Sequence, residues 1–355
     1  MIKNIFLIVL CICCTIMHAE EFIYPVADFD NQQKLLLLHQ KSLTEIELWI
    51  WDMQTESAMK GLSTFSIPAN LKILPAGNGF SFIDQGFIKI KEFSKRSAKT
   101  LPIYEPIGFF RHMNWIDEES FYFVARQGDF FQIFQSDMQA NIIQITNNSC
   151  DALYPQKIDS DLFYIKRDNN YDFSIIKRSW NDDNKEEIIV CNHNQICFLH
   201  MLSDKEGFYL QAPDNKIQND EDCYEFSYNY FYNNEQSWKY EKLFTFLVPA
   251  KYITGSSRLY ESIEPLLPIY HTNKIYFLHW NKNNKEFNLY TFNQENKSIS
   301  KIENEQNRSY HQKIFTPYCI ANKIFCGFIL ENIQNQKSIF DFAEFKIPLI
   351  VFEEN

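Results

Sequence analysis

A phrase recurs along this chain, mostly at intervals of about forty to fifty residues, and it constrains the fold more than any other feature. An apolar stretch with a proline is followed by a short polar gap and then by a tight apolar-aromatic cluster. The phrase reads Tyr24-Pro25 then Leu35–Leu38, Leu74-Pro75 then Phe80-Ser81-Phe82, and Tyr154-Pro155 then Leu162-Phe163-Tyr164. It returns as Leu267-Pro268 then Ile275-Tyr276-Phe277, and as Thr316-Pro317 then Ile324-Phe325-Cys326. Two further copies lack the proline: Gly108-Phe109-Phe110 before Phe121-Tyr122-Phe123, and Phe198-Leu199 before Phe208-Tyr209. A repeat of this length built from short strands predicts propeller blades, because one such unit cannot bury its apolar face alone and must stack on its neighbours.

Each unit divides into four strands. In Leu266–Ile302, the segment Leu266–Tyr270 is a first strand, Ile275–Trp280 a second, Phe287–Phe292 a third and Ile299–Ile302 a short outer fourth. The same grammar fits Leu153–Val190, with Leu162–Lys166, Phe173–Lys177 and Glu187–Val190 as the last three strands. Strand clusters bounded by Asn, Asp and Gly at this spacing give an all-β meander. The expected fold is a single β-propeller of four-stranded antiparallel sheets with seven blades, six being the alternative count. The units fall at roughly 22–70, 71–104, 105–150, 151–195, 196–261, 262–313 and 314–355. The second unit is short enough to lack a strand, and the fifth carries an insertion through Ile217–Tyr240.

Residues 1–19 stand apart from the repeat. Lys3 precedes an apolar run from Ile5 to Met17, the length of a signal-peptide core and short for a membrane span, and Ala19 supplies a small residue for cleavage. The expectation is an exported protein, periplasmic or secreted, with residues 20–355 as one propeller domain and no membrane-spanning segment after cleavage. A net charge of −11 argues against nucleic acid, since phosphate binding needs a basic surface. Aromatic residues make up 16% of the chain, an excess that suits pleated, half-buried strands.

From Ile145-Thr146-Asn147-Asn148, through Tyr154-Pro155, to Leu162-Phe163-Tyr164-Ile165, the chain resembles the TolB-like branch of the WD40-like β-propellers. In that family a strand ends in a Leu-Thr-Asn-like phrase, and a variable loop, a proline-led strand, a hairpin and an apolar strand follow. The proline-to-cluster interval is the same at Pro155–Phe163, Pro268–Tyr276 and Pro317–Phe325, which suits that pattern. The family's Ser-Pro-Asp-Gly hairpin is missing from every unit. The resemblance implies a periplasmic or secreted scaffold that binds proteins, and it implies no chemistry.

Three constellations are candidates for a site. Glu21, Asp151 and Glu264 each stand four residues before a repeat proline. Equivalent positions in different blades share a radius, so these carboxylates are candidates for one channel mouth, able to hold a hard cation or to serve glycoside cleavage. Loops entering strands favour acidic residues in any case, and Lys313 takes the matching place in the last unit. Tyr224, Phe226, Tyr228, Tyr230 and Tyr232 alternate through the insertion, which places them on one face of a strand. That face is either an exposed aromatic platform for a sugar or a partner, or an ordinary packed face. Cys191, His193, Cys197 and His200 match no zinc template, so no metal site is assigned there.

Export permits disulfides. If Asn322-Lys323 forms a two-residue turn, Cys319 faces Cys326, and Cys191 with Cys197 is a second candidate pair. No catalytic residue and no cofactor are expected, since no nucleophile elbow, metalloprotease motif or phosphate-binding glycine loop occurs. The leading functional reading is a non-enzymatic exported propeller with a protein partner. The alternative is a glycan-binding or glycan-cleaving propeller that uses the channel-mouth carboxylates.

Overall fold

The computed structural model describes residues 21–353, apart from 30–33, 41–45, 53–56, 65–68, 85–86, 104–111, 180–184, 193, 213–222, 250–266, 272, 303–312, 321–322 and 331–349. Residues 1–19, read as a signal segment, lie outside the described residues. The first blade is β1 (Glu21–Phe29), β2 (Lys34–Gln40), β3 (Ile46–Asp52) and β4 (Ser57–Thr64). The second is β5 (Ala69–Ile73), β6 (Gly79–Asp84), β7 (Phe87–Glu92) and β8 (Lys99–Thr100). The third is β9 (Met113–Trp115), β10 (Ser120–Gln127), β11 (Phe130–Asp137) and β12 (Ile142–Gln144). The fourth is β13 (Asp151–Ile158), β14 (Asp161–Arg167), β15 (Phe173–Ser179) and β16 (Glu186–Asn192). The fifth is β17 (Ile196–Ser203), β18 (Glu206–Gln211), β19 (Cys223–Asn233) and β20 (Trp238–Pro249). The sixth is β21 (Ile269–His271), β22 (Lys274–Asn281), β23 (Glu286–Asn293) and β24 (Ser298–Lys301). The strands β25 (Lys313–Ile320), β26 (Lys323–Leu330) and β27 (Ile350–Glu353) complete the order.

Every blade is an antiparallel meander, and the apolar clusters of the repeat are its second strands. Ile275–Leu278 in β22, Leu162–Ile165 in β14 and Phe121–Ala125 in β10 are buried on both faces, because each second strand lies between two neighbouring blades. In β10 the alternation sorts side chains between two interfaces. Phe121 and Phe123 pack toward the second blade with Ile88 and Ile90, whereas Tyr122 and Val124 join the layer shared with the fourth. Each fully buried Phe or Leu contributes about 1.5–3 kcal/mol, so the second strands supply much of the ring's cohesion. The polar member of one cluster is also accounted for: buried Ser81 accepts the Trp115 indole N–H at 3.0 Å across the blade boundary. Outward along a blade burial falls away, and all four residues of β24 are exposed.

First strands of consecutive blades touch one another, β1 with β5, β5 with β9, β9 with β13 and β13 with β17, so they line the middle of the ring. The proline of the phrase sits in this inner layer with a local break in register. The pairing skips between Leu153 and Gln156 in β13, between Pro25 and Ala27 in β1, and between Phe315 and Pro317 in β25. Proline has no N–H to donate; in β13 the skipped positions include Pro155, whereas Pro25 and Pro317 stay opposite Leu37 and Cys326 with the skipped residue beside them. Tyr154, in the β13 bulge, adopts a φ of 54°, and its ring stacks on His112 of the previous blade at 3.6 Å. Pro268 just precedes β21 with no such break, and Leu74-Pro75 is a further exception. It lies in the turn between β5 and β6, closed by the Gly77 N–H to the Leu74 carbonyl at 2.7 Å.

Among the described residues the strands form six blades, the alternative count, rather than seven. The last unit makes no sheet of its own: β26 hydrogen-bonds to β1 through Glu21–Ile23 opposite Phe328–Leu330, which draws β25, β26 and β27 into the first blade's sheet. The short second unit keeps four strands, its last only two residues long. From Cys223 onward the expected insertion in the fifth unit is regular structure instead, and residues 217–222 lie outside the described residues. Its aromatic run is β19, paired with β20 from Cys223 opposite Pro249 to Asn233 opposite Trp238.

Candidate functional site

Asp151 opens β13 and is 3% exposed. Its Oδ1 accepts the Phe131 backbone N–H from β11 at 2.8 Å, and its Oδ2 is ion-paired with Arg167, the residue directly opposite it on β14. A carboxylate at this position therefore ties the third blade to the fourth and holds a guanidinium at the end of the neighbouring strand. The connection leading to it is fastened in the same way. The Thr146 hydroxyl accepts the Ile133 N–H at 2.9 Å, and the Gln132 amide donates to the carbonyls of Asn148 and Cys150 at 3.0 and 2.9 Å. Of the other two carboxylates expected at a channel mouth, Glu21 begins β1 with its side chain outside the described residues, and Glu264 lies outside them altogether.

The same arrangement recurs. Buried Glu47 accepts the Trp49 indole N–H at 3.0 Å and pairs with Lys60 at 2.5 Å, Asp84 pairs with Lys89 at 2.7 Å, and Asp161 pairs with Lys177 at 3.0 Å. These carboxylates hold adjacent strands together, a use the sequence alone does not distinguish from a binding cluster. Among the described residues no group of three or more His, Cys, Asp or Glu side chains is placed to hold a metal ion.

The five aromatics of β19 do share a face, and most of that face is packed. Phe226 and Tyr228 are buried, stacked on Phe246 and Phe244 of β20 at 5.6 and 5.4 Å, and Phe244 stacks in turn on Phe277 of the sixth blade at 4.1 Å. Burial holds the Tyr228 phenol well above its ordinary range. Tyr224 and Tyr230 are half-buried, and Tyr232 emerges at the outer end, its ring 5.5 Å from that of Tyr230. The Tyr230 hydroxyl is hydrogen-bonded to Glu206.

Cys191 and Cys197 are free thiols, the first exposed on β16 and the second buried in β17, where its thiol donates to the Leu210 carbonyl at 3.5 Å. They stand on the outer strand of one blade and the inner strand of the next, so the expected bond between them does not form. His200 lies between the parallel rings of Phe198 and Phe208 at 6.4 and 6.5 Å, and His193 lies outside the described residues. The last hairpin also pairs one residue away from expectation. Cys319 is opposite Ile324 and Cys326 is opposite Pro317, so the two cysteines are not directly opposed.

What the sequence reading missed is the outer layer. Met59 on β4, Ile143 on β12, Ile188 on β16, Tyr240 on β20 and Ile299 on β24 are each half exposed or more, one on the outermost strand of five of the six blades. Single exposed apolar residues are ordinary on protein surfaces, and the repetition at the same layer is what sets these apart. Among the described residues no helix is long and apolar enough to cross a membrane.

No family model matches the chain, and no curated protein sequence matches it. Among solved structures, an oligogalacturonate lyase in complex with manganese aligns over 86% of this chain and 87% of its own, at 10% identity and a TM-score of 0.56. A prolyl endopeptidase aligns over 87% of this chain and 46% of its own, at 7% identity and a TM-score of 0.56. TolB from Agrobacterium tumefaciens aligns over 65% of this chain and 83% of its own, at 15% identity and a TM-score of 0.49. At such identities the likeness is one of fold alone, that of a β-propeller.

Proposed function

We propose that this chain is an exported β-propeller that binds another protein through its outer surface and performs no chemistry of its own. The observation that carries the reading is the apolar residue repeated on the outer strands: Met59, Ile143, Ile188, Tyr240 and Ile299 offer desolvation energy to a partner around the rim. The engagement of Asp151 with Arg167 and the Phe131 N–H supports it, since a carboxylate that fastens two blades is not poised for proton transfer. Propellers suit the role because a rigid ring presents edges and loops that vary independently of the fold. An enzymatic reading draws on the likeness to the lyase and the endopeptidase, and it needs Asp151 close to a second carboxylate.

The test is affinity capture with the full chain from its native envelope or secreted fraction. A stoichiometric protein partner should be retained by the native chain and lost when Ile143, Ile188 and Tyr240 are replaced together by Asp, with the melting temperature unchanged. Retention by that triple variant would remove the rim from the account. Turnover of an oligosaccharide or peptide substrate that disappears in Asp151→Asn would replace binding with catalysis.

A further inference from the structure

An open cleft of ≈ 530 Å³ lies on the fourth blade between the connection entering β13 and the hairpin joining β14 to β15. Its lining includes four asparagines, Asn147, Asn148, Asn169 and Asn170, with Lys166 and Asp168. The volume falls within the range of small-ligand sites, about 300–1,000 Å³. Each carboxamide both donates and accepts, and the two charged residues cancel. The Asn148 side-chain nitrogen is buried without a hydrogen-bond partner among the described residues.

Beside this cleft the chain holds an aromatic ring in water. Tyr171 follows Asn170 in the same hairpin and is 69% exposed. Its φ is 64°, a conformation that a bulky residue adopts only when its surroundings enforce it. The enforcement is visible. Asp168 Oδ1 accepts the backbone N–H groups of Asn170 and Asp172 at 2.8 and 3.0 Å, and the Tyr171 N–H donates to the Asp168 carbonyl at 3.1 Å. The Arg167 guanidinium, itself held by buried Asp151, sits 5.5 Å from the ring centroid. A line of contacts from the interior thus fixes an exposed ring on the hairpin that supplies one wall of the cleft.

We propose that this cleft binds a neutral saccharide, with Tyr171 as the stacking platform and the four asparagines reading its hydroxyls. Vicinal hydroxyls donate and accept together, as carboxamides do, and the C–H face of a sugar ring is an apolar partner for a ring as exposed as that of Tyr171. Lys166, the cation of this lining, is already paired with Glu186 at 3.8 Å and stands beside Asp168, so an anionic sugar gains little there. The site is separate from the rim and does not depend on the protein-binding reading.

The full chain is applied to immobilised neutral cello-, malto-, manno- and N-acetylglucosamine oligosaccharides, with uronic-acid oligomers and an unstructured peptide library as comparators. Retention on a neutral series is expected, and Tyr171→Ala should weaken it by about tenfold or more. Tyr171→Gly should weaken it equally while the melting temperature holds or rises, since glycine adopts the required φ freely, so the loss cannot be assigned to misfolding. Tyr171→Phe should retain binding, because the ring carries the contact. Absence of binding to every neutral series, binding unchanged in Tyr171→Gly, or binding confined to uronic acids or peptides would each overturn the proposal.

Discussion

At the scale of single residues, the polar interior consists of partners chosen across strands. Arg167→Ala leaves the Asp151 carboxylate buried without its cation and is expected to cost about 3 kcal/mol, whereas Asp151→Asn keeps an acceptor for the Phe131 N–H and should cost about 1–2 kcal/mol. Denaturant titration of the two variants checks the order, and equal losses would contradict it. His200 makes a prediction about pH. Burial among its ring neighbours, with a smaller contribution from Lys72, holds its pKa below the ordinary 6.5. The unfolded chain binds a proton there below pH 6.5, while the native chain stays neutral until the pH is lower. The stability from neutral His200 is therefore whole above pH 6.5 and is lost as the pH falls below it. Unfolding free energies measured between pH 7.5 and 5 should drop less steeply in His200→Phe than in the native chain.

At the scale of elements, the second strands were legible and the ladder details were not. The segments Leu162–Lys166 and Ile275–Trp280 become β14 (Asp161–Arg167) and β22 (Lys274–Asn281), because a strand buried on both faces reads as a continuous apolar run. The run of aromatics in β19 was visible as one face, but nothing in its alternation says whether a neighbouring blade covers that face. Phe277 of the next blade does so, by stacking on Phe244. Register was beyond reach for a different reason. A two-residue turn can be placed on either of two adjacent pairs with nearly equal sense, and the choice that pairs Ile320 with Lys323 moves Cys319 away from Cys326. Close approach between strands makes its own prediction. A Cβ on Gly79 would lie 2.2 Å from the Lys91 carbonyl oxygen, and one on Gly207 would lie 2.7 Å from that of His200, whereas at Gly61 the nearest atom is 3.4 Å away. Gly79→Ala and Gly207→Ala should each destabilise by about 1–3 kcal/mol or more, with Gly61→Ala well below them in a thermal melt.

At the scale of the whole molecule, the repeat gave away the ring and left its blade count between seven and six. Seven phrases are present, but a phrase marks a hairpin and not a closed sheet, and pairing of β26 with β1 merges the last hairpin into the first blade. The candidate site was less legible still. Asp151 was visible as a carboxylate ahead of a proline, and its role became clear only with Arg167 opposite it and Phe131 in the blade before. The apolar rim escaped notice where outer strands are short, as in β12 with three residues and β24 with four, and in the longer β16 and β20 because alternation alone does not say which face is left uncovered. The claim that joins these scales is that recognition belongs to the outer strands while the inner polar groups hold the ring together. Hydrogen–deuterium exchange of the full chain, with and without its captured protein partner, tests it most directly. The account predicts added protection along β12, β16, β20 and β24, with the peptide around Asp151 unchanged. Protection confined to the inner strands, with those four outer strands exchanging as before, would contradict it.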